Sequence, residues 1–273
     1  MLRKNRASRS PTPVIAAFAF VALGCGGVPD ESARLGDTPG LVAGAGGTAP
    51  SPGGAGGSSA VNPLGRARCQ SPSGVSGSPK TTQQALDLLN ALPKPTGVAC
   101  FLESLDRPLT VYASSSAFSA QPALSPQSPR LFLKQGDLWL SVVIDGDSSF
   151  LIEFGEEIPA EQPRSVKGEL ELPIAQPVAP SAPYDRVRYG QGTVCGLCHY
   201  DERAEDGRSA VNAFSSIAFR PRADTRVAID SLKSAAATCD WQTEPHRCEM
   251  LAAVFDGGAV EEVPFPETMS TFF

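Results

Sequence analysis

Two thiols and one imidazole fall within five residues of this 273-residue chain, as Cys195-Gly196-Leu197-Cys198-His199. Thiolate sulfur is a strong nucleophile and a soft metal ligand, and imidazole ligates transition metals through its unprotonated nitrogen. Three chemistries are open to this spacing. The sulfurs could bond covalently to a prosthetic group while the imidazole meets its metal, the segment could be half of a metal knuckle, or the sulfurs could close a small disulfide with His199 incidental. Function turns on that choice, because nothing else in the sequence reads as chemistry. There is no G-x-S-x-G, no H-E-x-x-H and no glycine-rich phosphate loop after a strand. Two histidines leave little room for a Ser-His-Asp arrangement, and DERAED (201–206) reads as a solvated charge run rather than a calcium loop.

The segment resembles the haem-attachment motif of c-type cytochromes, and Cys195, Cys198 and His199 fit that motif without departure. The resemblance implies thioethers from Cys195 and Cys198 to the haem vinyl groups and His199 as the proximal iron ligand. Haem c is then the cofactor and electron transfer the role. The preceding RYGQGT is similar to the aromatic-and-glycine approach of small cytochromes c, although those proteins are mostly helical and the hundred-odd residues before it here are β-rich. For the distal ligand the chain offers Met269, Met250 and His246. Met269 is favoured, since PFPETMSTFF resembles a distal-methionine loop. His246 and Met250 are four apart and share a helix face, which reads as solvent-exposed.

Other readings stay open at this point. Cys195 and Cys198 could be a disulfide clip or a redox pair, though no strand and long helix flank them as in thioredoxin-like proteins. Cys195, Cys198, Cys239 and Cys248 could hold zinc as four thiolates. The competing function is a non-catalytic binding or structural lipoprotein stapled by disulfides, in which CGLCH is only a clip.

The N-terminus bears on the compartment. Four basic residues in MLRKNRASRS precede an eleven-residue apolar run, VIAAFAFVALG (14–24), too short to span a bilayer and suited to a signal peptide over 1–24. Ala22-Leu23-Gly24-Cys25 resembles the lipobox of bacterial lipoproteins, which implies lipidation of Cys25, and Gly26 in place of Asp implies outer-membrane sorting. A cell-envelope lipoprotein facing periplasm or exterior is therefore expected, held to the membrane by its acyl chains and meeting a redox partner protein. CFLESLDRPL and SSIAFRPRADTR also resemble stretches of exported bacterial proteins, without a mechanism attached. Beyond residue 24 there are 19 basic and 29 acidic residues, a net charge of −10, which argues against nucleic acid as a partner. Export also favours disulfides among the remaining six cysteines, and their order suggests three sets: Cys69 with Cys100, Cys195 with Cys198, and Cys239 with Cys248.

The elements that must position these residues follow from pattern. Residues 25–65 are a Gly/Ala/Pro/Ser linker with little to bury; about 40 flexible residues span roughly 35 Å root-mean-square. TTQQALDLLNALP (81–93) reads as a helix with a capping box and one Ala/Leu stripe. LTVYA, RLFLKQ, LWLSVVI, SFLIEF and SVKGELELPI, over about 109–174, read as antiparallel strands with a hairpin at Asp145-Gly146, and Phe132, Trp139 and Phe154 as core. After a proline-rich connector, SSIAFRP suggests a further strand, and 230–239 and 245–255 read as helices, the first capped by Asp230. The expected class is α+β: a β-rich part (66–184), then a partly helical, cysteine-bearing part (185–273).

Overall fold

The computed structural model describes residues 65–205 and 213–271. The signal segment, Cys25 and nearly all of the linker lie outside the described residues, as do Phe272 and Phe273. Helix α1 (Thr82–Ala91) begins where Thr81 Oγ1 accepts the Gln84 N–H at 3.2 Å. Gln84 Oε1 accepts from Lys80 N at 2.7 Å, one residue earlier than a reciprocal capping box would place that bond. Ala85, Leu88 and Leu89 are fully buried along one stripe, and Pro93, lacking an N–H, cannot extend the helix.

The α+β class holds. The main sheet contains β1 (Leu109–Ser114), β2 (Arg130–Gln135), β3 (Leu138–Val143), β4 (Leu151–Glu157), β5 (Arg164–Glu171), β8 (Arg203–Ala204), β9 (Phe214–Ile217) and β10 (Val260–Glu262). Their order is β10-β1-β2-β3-β4-β5-β9-β8. Every pair is antiparallel except β10 on β1, so the sheet is mixed and reaches past the expected 109–174 at both edges. The Asp145-Gly146 turn is longer than a two-residue hairpin, because Ser149 N–H bonds back to Gly146 O at 3.0 Å and delays β4 to Leu151.

Alternation along the strands makes two unlike faces. On the inner face Val111, Leu133, Leu140 and Phe154 align across four strands. They belong to one core with residues of α1, α2 (Val98–Glu103), α4 (Ile229–Ala237) and α5 (Pro245–Phe255). Asp230 does not cap α4; the helix starts one residue earlier and Ala228 holds the cap position without a side-chain bond. Cys69–Cys100 and Cys239–Cys248 are disulfides, with Cα separations of 5.1 and 5.5 Å; the first reaches α2 and the second links the end of α4 to α5. On the outer face Thr110, Lys134, Trp139, Gly155 and Lys167 align, as do Tyr112, Phe132, Ser141, Glu153 and Glu169. Phe132 and Trp139 therefore lie away from the main core, which keeps only Phe154 of the three expected there. No helix among the described residues is long and apolar enough to cross a membrane.

Candidate functional site

The CGLCH segment grows out of a small hairpin, β6 (Arg188–Tyr189) and β7 (Gly192–Thr193), turned at Gly190 with φ of +57°. A 3-10 turn over Val194–Leu197 follows, capped by Thr193 Oγ1 accepting from Gly196 N at 3.3 Å. Cys198 N and His199 N both donate to Cys195 O, at 3.1 and 2.8 Å, so the five residues close on themselves as one knuckle. Glu202 folds back under it and accepts both the backbone N–H of Thr193, at 2.9 Å, and its hydroxyl. A Cβ at Gly192 or Gly196 would stand 2.1 or 2.8 Å from the Glu202 carboxylate, so both glycines are needed for that seat.

His199 Nδ1 lies 2.8 Å from the carbonyl oxygen of Ile217, the last residue of β9, which is registered with Arg164 of β5. A carbonyl only accepts, so Nδ1 carries the proton and Nε2 carries the lone pair. Burial and then the Lys167 ammonium push the imidazole down to about 3, and the Ile217 bond only partly offsets them. The ring is neutral near pH 7, the form that ligates a metal, and a backbone carbonyl fixes its tautomer as in metal-bound histidines. Phe219 packs on it with ring centroids 5.3 Å apart.

The thiols differ. Cys195 is half-buried and pushed up to about 11 by burial, against the Thr193 hydrogen bond, whereas Cys198 is exposed; neither is in a disulfide. Cys195 feels the charges of Glu153, Lys167 and Glu169, which are outer-face residues by register, so the knuckle lies over that face. Lys167 Nζ donates to Ser165 Oγ at 2.6 Å, and burial lowers it to about 8. Around the knuckle, Tyr189, Val194, Leu197 and Tyr200 are exposed, Leu197 most of all at 73%.

Arg164, 2% exposed, pins the segment's exit to β5. Its guanidinium donates to the Asp201 carbonyl at 2.7 Å, to the Asp201 carboxylate and to Ser215 Oγ at 3.1 Å. Asp201 itself adopts a left-handed φ of +57°. Its carboxylate is 65% exposed while the cation is buried, so the two halves of the pair are unequal to remove. Asp201→Asn leaves the buried cation only the partly exposed Glu161 carboxylate, 3.9 Å away, and should cost about 2–3 kcal/mol; Arg164→Leu leaves a carboxylate that water can solvate and should cost about half as much. Urea unfolding of both variants decides this, and equal losses would contradict the asymmetry.

The structure separates the residues grouped from sequence. Zinc at four thiolates is overturned, because Cys239 and Cys248 bond to each other. Among the described residues no three His, Cys, Asp or Glu side chains are placed to hold one metal ion, so Cys195, Cys198 and His199 do not converge as a metal knuckle either. Met250 is fully buried in the inner-face core rather than solvent-exposed, because α5 turns that side inward with Leu251 and Val254. His246 Nε2 lies 2.8 Å from Ser149 Oγ, and Phe150 packs beside it. Ser149 donates to Gly146 O at 2.7 Å, so His246 donates to Ser149 and the pair clamps the β3–β4 turn rather than poising a nucleophile. Met269 is buried and its carbonyl accepts from Arg220 Nε at 2.8 Å, one residue from Phe219.

The partly buried, neutral imidazole has a consequence for stability. The unfolded chain takes up the His199 proton near pH 6.5 and the folded chain only near 3. Folding therefore loses stability as pH falls through that window, at up to about 1.4 kcal/mol per pH unit. Urea midpoints measured between pH 7 and pH 4 should drop less steeply in His199→Gln than in the parent, and matching slopes would contradict this.

Comparison with protein-family models, with curated proteins and with solved structures gave no match.

Proposed function

We propose that this chain is an exported, lipid-anchored electron carrier holding one covalent c-type haem at Cys195 and Cys198, with His199 as proximal ligand and Met269 as distal ligand. The observation that carries the reading is the state of the knuckle. Two unpaired thiols flank an imidazole whose Nδ1 is tied to Ile217 O and whose Nε2 is the basic nitrogen. The geometry of a bare metal site is absent among the described residues, and haem attachment does not require it. In that chemistry the sulfurs go to the macrocycle edge and only the imidazole is aimed at the metal.

Haem supplies reversible one-electron chemistry. The chain's own residues anchor, orient and shield. Thr193 and Glu202 hold the attachment turn, Ile217 fixes the imidazole tautomer, and Phe219 packs against its ring. The exposed apolar side chains of Tyr189, Val194, Leu197 and Tyr200 give a macrocycle apolar surface to cover. Anchoring at Cys25 and an envelope location rest on the N-terminal pattern alone.

The test is expression in a host with and without the c-type maturation machinery. A red protein with a Soret band that survives denaturation and acid-acetone extraction, only when the machinery is present, supports the proposal. A colourless protein with Cys195 and Cys198 oxidised to each other would favour the disulfide-stapled binding protein instead.

A further inference from the structure

The C-terminal segment runs from the β1 edge over the outer face of β1, β2 and β3. Val263 N–H bonds to Val111 O at 3.0 Å beside the β1 edge. Phe265 then stacks on Trp139, with centroids 4.4 Å apart and planes 5° from parallel, and meets Tyr112 and Phe132 edge-on at 5.0 and 5.2 Å. At the segment's other end, Arg220 N–H bonds to Ser270 O at 3.0 Å, and Arg220 bridges Thr271 as a parallel partner. Between these two clamps sits Met269, 4% exposed and yet in neither apolar cluster of the molecule. Arg220 follows Phe219, whose ring packs on His199, so the second clamp ends beside the knuckle.

We propose that residues 263–271 are a strap whose two clamps, Phe265 on Trp139 and Arg220 on the Met269–Thr271 backbone, present the Met269 thioether beside His199. Phe265 and Arg220 are then positioning residues for methionine ligation of the iron. This rests on the haem reading above. A stacked aromatic pair contributes beyond its buried area, enough to decide whether a short irregular segment stays down.

Two measurements on Phe265→Ala test it, with Phe265→Tyr as rescue and Phe265→Leu in reserve should the alanine variant not fold. The first uses the haem-free Cys195→Ser/Cys198→Ser protein and dilute hydrogen peroxide. One peroxide oxygen passes to the Met269 sulfur and water is released. Peptide mass should show Met269 oxidised roughly fivefold faster or more once the clamp is gone, with core-buried Met250 as the internal control. The second uses haem-loaded protein. The potential of Phe265→Ala should fall toward that of Met269→Ala at unchanged haem content, and Phe265→Tyr should restore it. A folded, haem-bearing Phe265→Ala with parental Met269 oxidation and parental potential overturns the strap while haem stands. Absence of haem from the parent overturns the iron role together with the reading it rests on, and the peroxide arm then reports the clamp alone.

Discussion

Replacing His199 with alanine, both cysteines kept, will remove nearly all haem-bearing protein from a maturation-competent host. Even a hydrogen-bond partner of a metal-binding histidine is typically worth about 10–100-fold in metal affinity, so the ligand itself should cost at least that much. No other imidazole is at hand, because His246 is committed to Ser149 at the start of α5. The loss should be specific to the cofactor. His199 is neutral and only partly buried, and its Nδ1 bond ends on a single backbone carbonyl, so the alanine variant should still fold near pH 7. Haem content per polypeptide, measured as absorbance after denaturation in alkaline pyridine, gives the answer. Parental haem content in His199→Ala would rule out the proximal assignment.

Removing Cys69–Cys100 as a double alanine variant should produce the largest loss of stability of any change considered. Its cysteines are 31 residues apart, and the chain-entropy relation gives about 4 kcal/mol for a loop of that length, against about 3 kcal/mol for Cys239–Cys248 at a separation of 9. The native neighbourhood adds to the constraint. Cys69 N–H donates to Glu103 Oε2 at 2.8 Å, and Arg66 bonds both Glu103 and Glu249, so the bridge fastens the incoming chain to α2 and α5 together. For a body of this size, 4 kcal/mol corresponds to a melting temperature lower by roughly 8–16 °C. Thermal and urea unfolding of both double variants will show whether the longer loop matters more. A Cys69–Cys100 loss below that of Cys239–Cys248 would contradict the loop-length ordering.

Legibility in the sequence followed the range of the interactions. α1 and α5 were readable because their signals are local: a Thr81 cap with an Ala/Leu stripe, and a leading proline. The strands of the central meander were readable from alternation, and both disulfides from the order of the cysteines. Other features depend on partners far along the chain. α2 is six residues long and is held by its disulfide and by α5, so no periodic signal could accumulate. β10 exists only through pairing with β1, about 150 residues away, and three residues carry no pattern. Phe132 and Trp139 looked like core because the apolar strap that covers the outer face could not be foreseen. Within the site, the cysteines and His199 were visible as a motif. Arg164, Lys167 and the Ile217 carbonyl were not visible, since each meets the segment only after β5 and β9 have paired, and Glu202 stood in a charge run with nothing to mark its return to Thr193.

The covalent bond itself is the most direct test. The chain should be expressed with the maturation machinery, purified, denatured, and its intact mass compared with that of the Cys195→Ala/Cys198→Ala variant. The haem reading predicts a parent heavier by one haem beyond the two sulfur atoms, with the added mass confined to the peptide spanning Cys195 and Cys198. A parent whose mass exceeds that of the variant only by the two sulfurs would contradict it and leave the knuckle as a pair of ordinary cysteines beside a buried histidine.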